Sequence, residues 1–514
     1  MIKLKKFSLG LALLLLALPV LAAGNSAYRV SPQVPLDSWT YQALERVVAL
    51  SDVQSGLAGM RPLTRLEAAR LLREASLKAQ LDELPTVAGE LLQRLQTEFH
   101  QELLSLEDGE SRQGVPTRWL RNAALLASYR DGADAMMSGT DARQFALDFN
   151  HFGRSRADGG NLEFNAEMEA RLLDHLLLTW RPELAQREAD GSSFTTLAAI
   201  AAVAYRGIEF SAGRQSLWWG QGRHGSLLLT NNAAPLDMLR LTNPTPLQLP
   251  WLLKHFGPFR FDLFVSRLDE DRVVAKPYFG GMRFNIKPSR YLELGASRTV
   301  IFGGAGRPKV DAGDFLTIVG GGNLSVDDDT SNSIAGVDAL ITVPPLWGMQ
   351  IYGELYGEDE AGGLPAKDSW LAGIYLPQIE PSGRLSLRVE YADTTRLFGG
   401  SPVFYRHGIY TSGYIYEGKI LGHHAGSDAT DLFVQLQVDY SPRLSLQIGF
   451  DYEERGKALA LQEKHNQAEL SVTWWLDPQL SLTARYAYDQ VKNWNFVKGD
   501  EDFHLVSVGL GQRF

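Results

Sequence analysis

The densest run of side chains able to bind or react is Trp218-Trp219-Gly-Gln-Gly-Arg223-His224-Gly-Ser226, followed closely by Asn231-Asn232. Flat indole faces, a guanidinium fork and paired amides are the groups a sugar binder uses. Rings lie against the C–H face of a pyranose, while amides and guanidinium hydrogen-bond its hydroxyls and carboxylates. Paired tryptophans near a strand end also serve as membrane-interface anchors, and composition leaves these two readings level. Arg298 and Arg307 bracket the glycine-rich turn Gly303-Gly-Ala-Gly-Arg307-Pro308. It lacks the Lys-Ser/Thr ending of a phosphate loop and no helical pattern follows, so nucleotide binding is excluded. Glu358 and Glu360, and the run Asp327–Asp329, offer carboxylates for a glycosidase pair or for calcium. Neither run has calcium-loop spacing, and solvated charges or lumenal partners for arginine fit the same residues. His407, His423 and His424 sit among Tyr405, Tyr410, Tyr414 and Tyr416 without the tight spacing and third carboxylate of a metal site, which favours ligand contact. No serine occupies a nucleophile elbow, and the absence of cysteine removes thiolate catalysis, disulfides and zinc–thiolate centres. The chemistry expected is binding rather than catalysis, with no cofactor and no metal.

These residues must be positioned by elements of two kinds. At the start, Lys3, Lys5 and Lys6 precede an apolar run from Phe7 to Leu18 and the small-residue end Ala22-Ala23, the pattern of an export signal spanning residues 1–22. Residues 23–117 read as a helical region. Thr64-Arg-Leu-Glu67 is a capping-box pattern, and Leu92, Leu95, Phe99, Leu103 and Leu106 recur at helical spacing after Thr86. Each helix has one apolar stripe and must pack on a neighbour.

From about residue 118 the period falls to two. Leu162, Phe164, Ala166 and Met168 alternate with Glu163, Asn165 and Glu167, and the same rhythm runs through Leu444–Tyr452 and Leu480–Tyr488. Lys287–Arg290, Pro381–Arg384, Ser441–Arg443 and Asp477–Gln479 make short turns into returning strands. The intervening connections are much longer, as in Asp393–Asp431. Tight turns at one end and long loops at the other are the layout of an all-β outer-membrane barrel with turns periplasmic and loops outside. Val506, Val508, Leu510 and the terminal Phe514 lie on one face of a last strand, which a closed barrel leaves without an open edge. Residues 118–514, at roughly 22 residues per strand with its share of connection, give about 18 antiparallel strands.

Composition closes off other classes. With 50 basic and 60 acidic residues, a formal charge of −10, the chain has no basic excess to hold nucleic acid. At 45% apolar it is not a disordered tail. No segment after the signal has 18 uninterrupted apolar residues, so no transmembrane helix is expected.

Several separated segments together resemble the Wzi family of outer-membrane capsule-assembly proteins. They are Trp218–Ser226; Leu292–Arg298 with Gly303–Pro308; Tyr352-Gly-Glu-Leu-Tyr-Gly-Glu358 through Gly362; and Tyr405-Arg-His407-Gly-Ile-Tyr410 with Gly413-Tyr414. The resemblance implies an 18-stranded barrel with a small periplasmic helical bundle, acting as a lectin that holds capsular polysaccharide on the cell surface. The loops Val326–Asn332 and Leu421–Asp428 are individual to this chain, so the family's glycan is not carried over. The matching segments place Trp218, Trp219, Arg223, Arg307 and Glu358 at the lumen or mouth. The expected ligand contacts are these with Asn231, Asn232, Arg298, Tyr405, His407, Tyr410 and Tyr414. The expected partners are outer-membrane lipid and extracellular polysaccharide, with the chain a monomer. A diffusion porin and, further off, a polysaccharide hydrolase or lyase are the competing readings.

Overall fold

The computed structural model describes residues 30–79, 84–107, 118–173, 175–308, 331–358, 360–361, 364–365, 368–396 and 402–514. The expected signal at residues 1–22 and the Asp327–Asp329 run lie outside them. Eighteen long antiparallel strands close into one barrel, from Asn122–Asp131 to Asp500–Arg513. These two strands pair from Asn122↔Arg513 to Asp131↔His504, so the chain's last strand joins its first and leaves no edge.

The two-residue period decides which way each side chain points. Leu239, Val337 and Ile448 are half exposed on the outer face, as are Val506, Val508, Leu510 and Phe514 on the closing strand. Charged residues occupy lumen-facing positions on several strands, and the side chains of Arg283 and Asp338 there are completely buried. A barrel that is greasy outside and polar inside suits a lipid surround.

Among the described residues, helices at Thr40–Leu50, Arg65–Ala79, Thr86–Glu98 and His100–Glu107 precede the barrel. Val47, Leu72, Leu95 and Phe99 form their shared core. Thr64 caps as expected, accepting the Glu67 N–H at 3.3 Å, but the Glu67 carboxylate turns to Arg70 instead of back to the cap. The helical stretch expected after Thr86 breaks at Phe99, whose side chain is wholly buried in the bundle.

The bundle sits on the short-turn end of the barrel. Arg46, 1% exposed, donates to Pro377 O at 2.8 Å and also to Gly383 O and the Asp439 carboxylate. Lys287 Nζ donates to Gly56 O at 3.0 Å, and Arg94 to Pro442 O at 3.2 Å. Trp39 meets Trp475 edge to face at 5.3 Å, with Arg94 over both rings. Three of the turns read from sequence, at Lys287–Arg290, Pro381–Arg384 and Ser441–Arg443, therefore receive the helical region.

Arg46 is the test of this docking. Arg46→Ala strands the Asp439 carboxylate in a buried place, at a cost of about 3 kcal/mol or more. Limited proteolysis in detergent should then cleave residues 30–107 much faster while the barrel stays resistant. Equal cleavage rates in parent and variant would show that the bundle is held by other contacts.

Candidate functional site

The segment 216–235, which joins strands Ile208–Gln215 and Leu236–Thr242, folds into the lumen instead of standing outside. Its Trp218-Trp219 pair forms a two-residue antiparallel ladder with Met60-Arg61 of the helical region. Beneath it the chain turns through Gly220, at φ 136°, where a Cβ would come within 2.3 Å of the Glu354 carboxylate. Glycine is needed there because the wall and the loop backbone touch.

What they touch through is a ring of carboxylates. Glu354 accepts the N–H groups of Gly222 at 2.8 Å and Leu227 at 2.9 Å. Glu390 accepts those of Arg223 at 2.8 Å and His224 at 3.0 Å. Asp338 takes the Gln221 amide at 2.8 Å, and Asp262 takes the Trp219 indole N–H at 3.2 Å. Glu293 accepts from Ala58 and Gly59, the neighbouring segment of the helical region, at 2.7 and 2.9 Å. Two of these acids are balanced by bidentate arginines, Arg240 on Asp262 and Arg283 on Asp338. Each acid occupies a lumen-facing position of a different strand. The ring exists only once the barrel has closed.

Two further long connections press onto this loop. Tyr405 donates to Leu227 O and accepts the His423 N–H at 2.9 Å. Tyr414 reaches Leu228 O at 3.1 Å and Thr299 at 2.9 Å, and its ring stacks on Tyr405 at 5.4 Å. Tyr410 holds Gly303 O at 3.1 Å, and Asn232 holds Ile420 O at 3.0 Å. From residues 132–158, Asn150 donates to His224 O at 2.7 Å and accepts from Asn231 at 2.7 Å.

Between this plug and the helices lies a cavity of about 460 Å³ lined by both polar and apolar side chains. Trp218, Arg223 and Asn231 line it together with Asn150, His151 and Arg388 of other segments. On its helical side Glu45 bridges Arg223 at 3.1 Å and Arg388 at 3.0 Å. Burial alone pushes the Glu45 carboxyl up, but Arg223, Arg388 and Arg61 outweigh it and hold it at about 2.

The expected site residues thus separate. Trp218, Arg223 and Asn231 meet at the cavity. Trp219 is fully buried with its N–H committed to Asp262, so it is no open stacking platform, contrary to the sequence expectation. Asn232, Tyr405, Tyr410 and Tyr414 are also buried, and their polar atoms knit loop to loop. Arg298 alternates with the lumen-facing Ser297 and Thr299, which sets it on the opposite side of its strand rather than in the lumen. Glu358 is buried at its strand's end. Arg307 and His407 remain partly exposed at the loop end. Glu45, Glu354, Glu390 and Asp451 carry the site without any signal in local spacing, because in sequence they are ordinary polar members of a helix or an alternating strand. Chain spacing pointed to no metal ligands, yet His224, His424, Asp431 and Asp451 bring one ligating atom each within 4.8 Å of one another.

Two outcomes follow from this geometry. The double variant Glu354→Gln/Glu390→Gln keeps the shape but turns amide N–H groups against the loop's own, which costs about 1–3 kcal/mol for each unsatisfied group. Its planar-bilayer conductance should rise above that of the parent as the plug loosens, and identical traces would argue against the ring as the clamp. Glu45→Gln should lower thermal stability at neutral pH. Because the native carboxyl is depressed, its contribution is full above the unfolded value of about 4.3 and is lost as pH falls toward about 2. The stability gap between parent and variant should be equal at pH 7 and 5 and shrink by pH 3.

A family model for the capsule assembly protein Wzi matches residues 130–505 of this chain. A Klebsiella pneumoniae protein described as an uncharacterized 55.8 kDa protein in the cps region is 32% identical over 194 residues, 37% of this chain and 38% of that protein. The chain matches little more than a third of that curated relative's length. The solved structure of Wzi, described as an outer membrane protein involved in group 1 capsule assembly in Escherichia coli and as a carbohydrate-binding β-barrel, aligns with a TM-score of 0.71 at 21% identity. The alignment covers 94% of this chain and 100% of that one, and shows a common fold. With the family model matching well over half of its residues, this chain belongs to the Wzi family of capsule assembly proteins.

Proposed function

We propose that this protein is a non-enzymatic outer-membrane lectin that retains capsular or other extracellular polysaccharide on the cell surface. In this reading residues 1–22 are removed on export and residues 23–117 stand in the periplasm. Residues 118–514 span the outer membrane as a monomer, with the long loops outside. The observation that carries it is the occupation of the lumen from both ends among the described residues. Helices seat on the short turns, and residues 216–235 are clipped across the bore by wall carboxylates. A bore filled in this way does not suit a diffusion porin, and it leaves the outer loops as the surface for an extended ligand.

Two observations favour sugar over other ligands. The related E. coli barrel is described as carbohydrate-binding. The lumenal cavity combines an indole, amides and guanidinium groups at a volume suited to a small ligand. In this reading Arg307 and His407, partly exposed at the loop end, are among the groups that meet a polymer staying outside. Many weak contacts of about 1 kcal/mol each, repeated along the polymer and over many receptors, hold it by avidity. The wall acids are engaged by loop N–H groups and arginines, which speaks against their use as a hydrolytic pair.

Deleting the gene in an encapsulated host should move polysaccharide severalfold from the cell-bound to the released fraction with total synthesis unchanged. Complementation with the parent should restore retention, and Arg307→Glu/His407→Ala should restore less at equal amounts of folded barrel. Unchanged retention on deletion would refute the lectin reading. Large open-channel conductance of the purified parent would favour the porin.

A further inference from the structure

We propose that His224, His424, Asp431 and Asp451 form a four-coordinate site for a divalent cation of the zinc type, which fastens two inward-folded loops to the barrel wall. The two aspartates come from paired strands. Asp431 lies on Ala429–Ser441 opposite Glu453, and Asp451 on Leu444–Arg455 opposite Phe433. The two-residue period therefore turns both carboxylates to the same patch of lumen. His224 arrives from the plug segment 216–235, and His424 from the long connection that ends at Ala429. Four segments distant in sequence meet at one point.

The spacing suits a metal. His224 Nε2 stands 2.9 Å from Asp451 Oδ2 and 3.7 Å from Asp431 Oδ2, and His424 Nε2 stands 3.2 Å from the same Asp431 oxygen. Tetrahedral bonds of about 2.0 Å place ligands about 3.3 Å apart, in the middle of these edges. Two neutral imidazoles and two carboxylates cancel a charge of +2, and such mixed nitrogen and oxygen sets suit zinc-like ions rather than calcium or magnesium.

Two independent observations point to a ligand at this centre. Both ring nitrogens of the fully buried His424 and both oxygens of the buried Asp431 complete no hydrogen bond of ordinary geometry with the protein, although burial makes that costly. Glu453, 3.1 Å from His424 Nε2, is itself drawn off by Arg455. In addition, each imidazole is clamped flat on a phenyl ring. His424 stacks on Phe149 and His224 on Phe433, both at 3.7 Å and within 10° of parallel. Rings fixed in this way aim their nitrogens before any ion arrives, as a preformed site requires.

The full-length protein, purified in detergent with a tag free of histidine and stripped by chelator, is the material for the test. Equilibrium dialysis against Zn2+ with elemental analysis should recover about one ion per chain, as a single closed site predicts. Co2+ in its place should give the visible absorption of tetrahedral coordination. His424→Gln and Asp451→Asn should each lose the ion and the spectrum, while the variant of an exposed histidine, His255→Gln, keeps both. Folding of each variant is checked by heat-modifiable gel mobility, and if both ligand variants misfold, the parent's stoichiometry and cobalt spectrum decide. The proposal is overturned by negligible Zn2+ on the parent, by an octahedral cobalt spectrum, or by an ion retained in both folded variants.

Discussion

Everything in the lumen depends on buried carboxylates meeting backbone N–H groups. A loop drawn into a barrel carries its own unsatisfied donors with it, and these are expensive to bury unpaired. The wall answers with acids at separated heights and on separate strands. Glu354 and Glu390 each take two consecutive or nearby N–H groups of the plug, and Glu293 does the same for the loop of the helical region. Charge-assisted bonds of this kind are shorter and stronger than neutral ones. They fix the loop's path without demanding a particular side chain from it. Small residues such as Gly220 and Gly222 can therefore occupy the contact.

The same arrangement bears on the chain's negative charge. A formal −10 looks ill-suited to a receptor for acidic polymers. Several of the acids are not outside at all. Asp262, Glu293, Asp338, Glu354 and Glu390 are buried in the lumen, each within hydrogen-bonding reach of a donor from the plug, the helices or a wall arginine. Net charge is a sum over the whole chain, whereas a polymer on the outer surface senses only the groups near it, within about a Debye length of 8–10 Å. The exterior potential at the loops is thus decoupled from the total.

How much of this was legible beforehand follows from the range of the forces involved. The strand rhythm, the short turns, the closing strand ending in Phe514 and the amphipathic helices are local patterns, and all are present in the structure. The pairings of the site are not local. Gln221 meets Asp338, and Arg223 meets Glu45, across separations of 117 and 178 residues. Such partners are set by strand order and barrel stagger. The indole pair, left level between a sugar platform and a membrane anchor, lies on a lumen plug for the same reason: nothing in Trp218-Trp219 itself says that the loop carrying it turns inward. His424 shows the reverse case. Its flanking sequence offers no ligand pattern, yet closure of the barrel brings it onto Phe149 and against Asp431.

A barrel held by helices at one end and by an inward loop at the other suits the fixed anchor proposed above, and the two attachments differ in kind. The helical end is held by arginine and lysine side chains capping carbonyls of the turns, with indole rings packed between them. The loop end is held by wall carboxylates below and tyrosine hydroxyls above. At the loop end these bonds frame an apolar core, in which Leu227, Leu228 and Leu229 of the plug pack in one cluster with Phe264, Tyr352 and Leu371 of the wall. In the proposed orientation the outer loops are mounted on a plug tied to the strands of Asp262, Asp338, Glu354 and Glu390. Rigid mounting matters for a polymer held by weak repeated contacts, because each contact formed by a floppy loop would first have to overcome the entropy of ordering it. In the proposed lectin, filling the bore with structure would let the surface above it bind without that ordering cost.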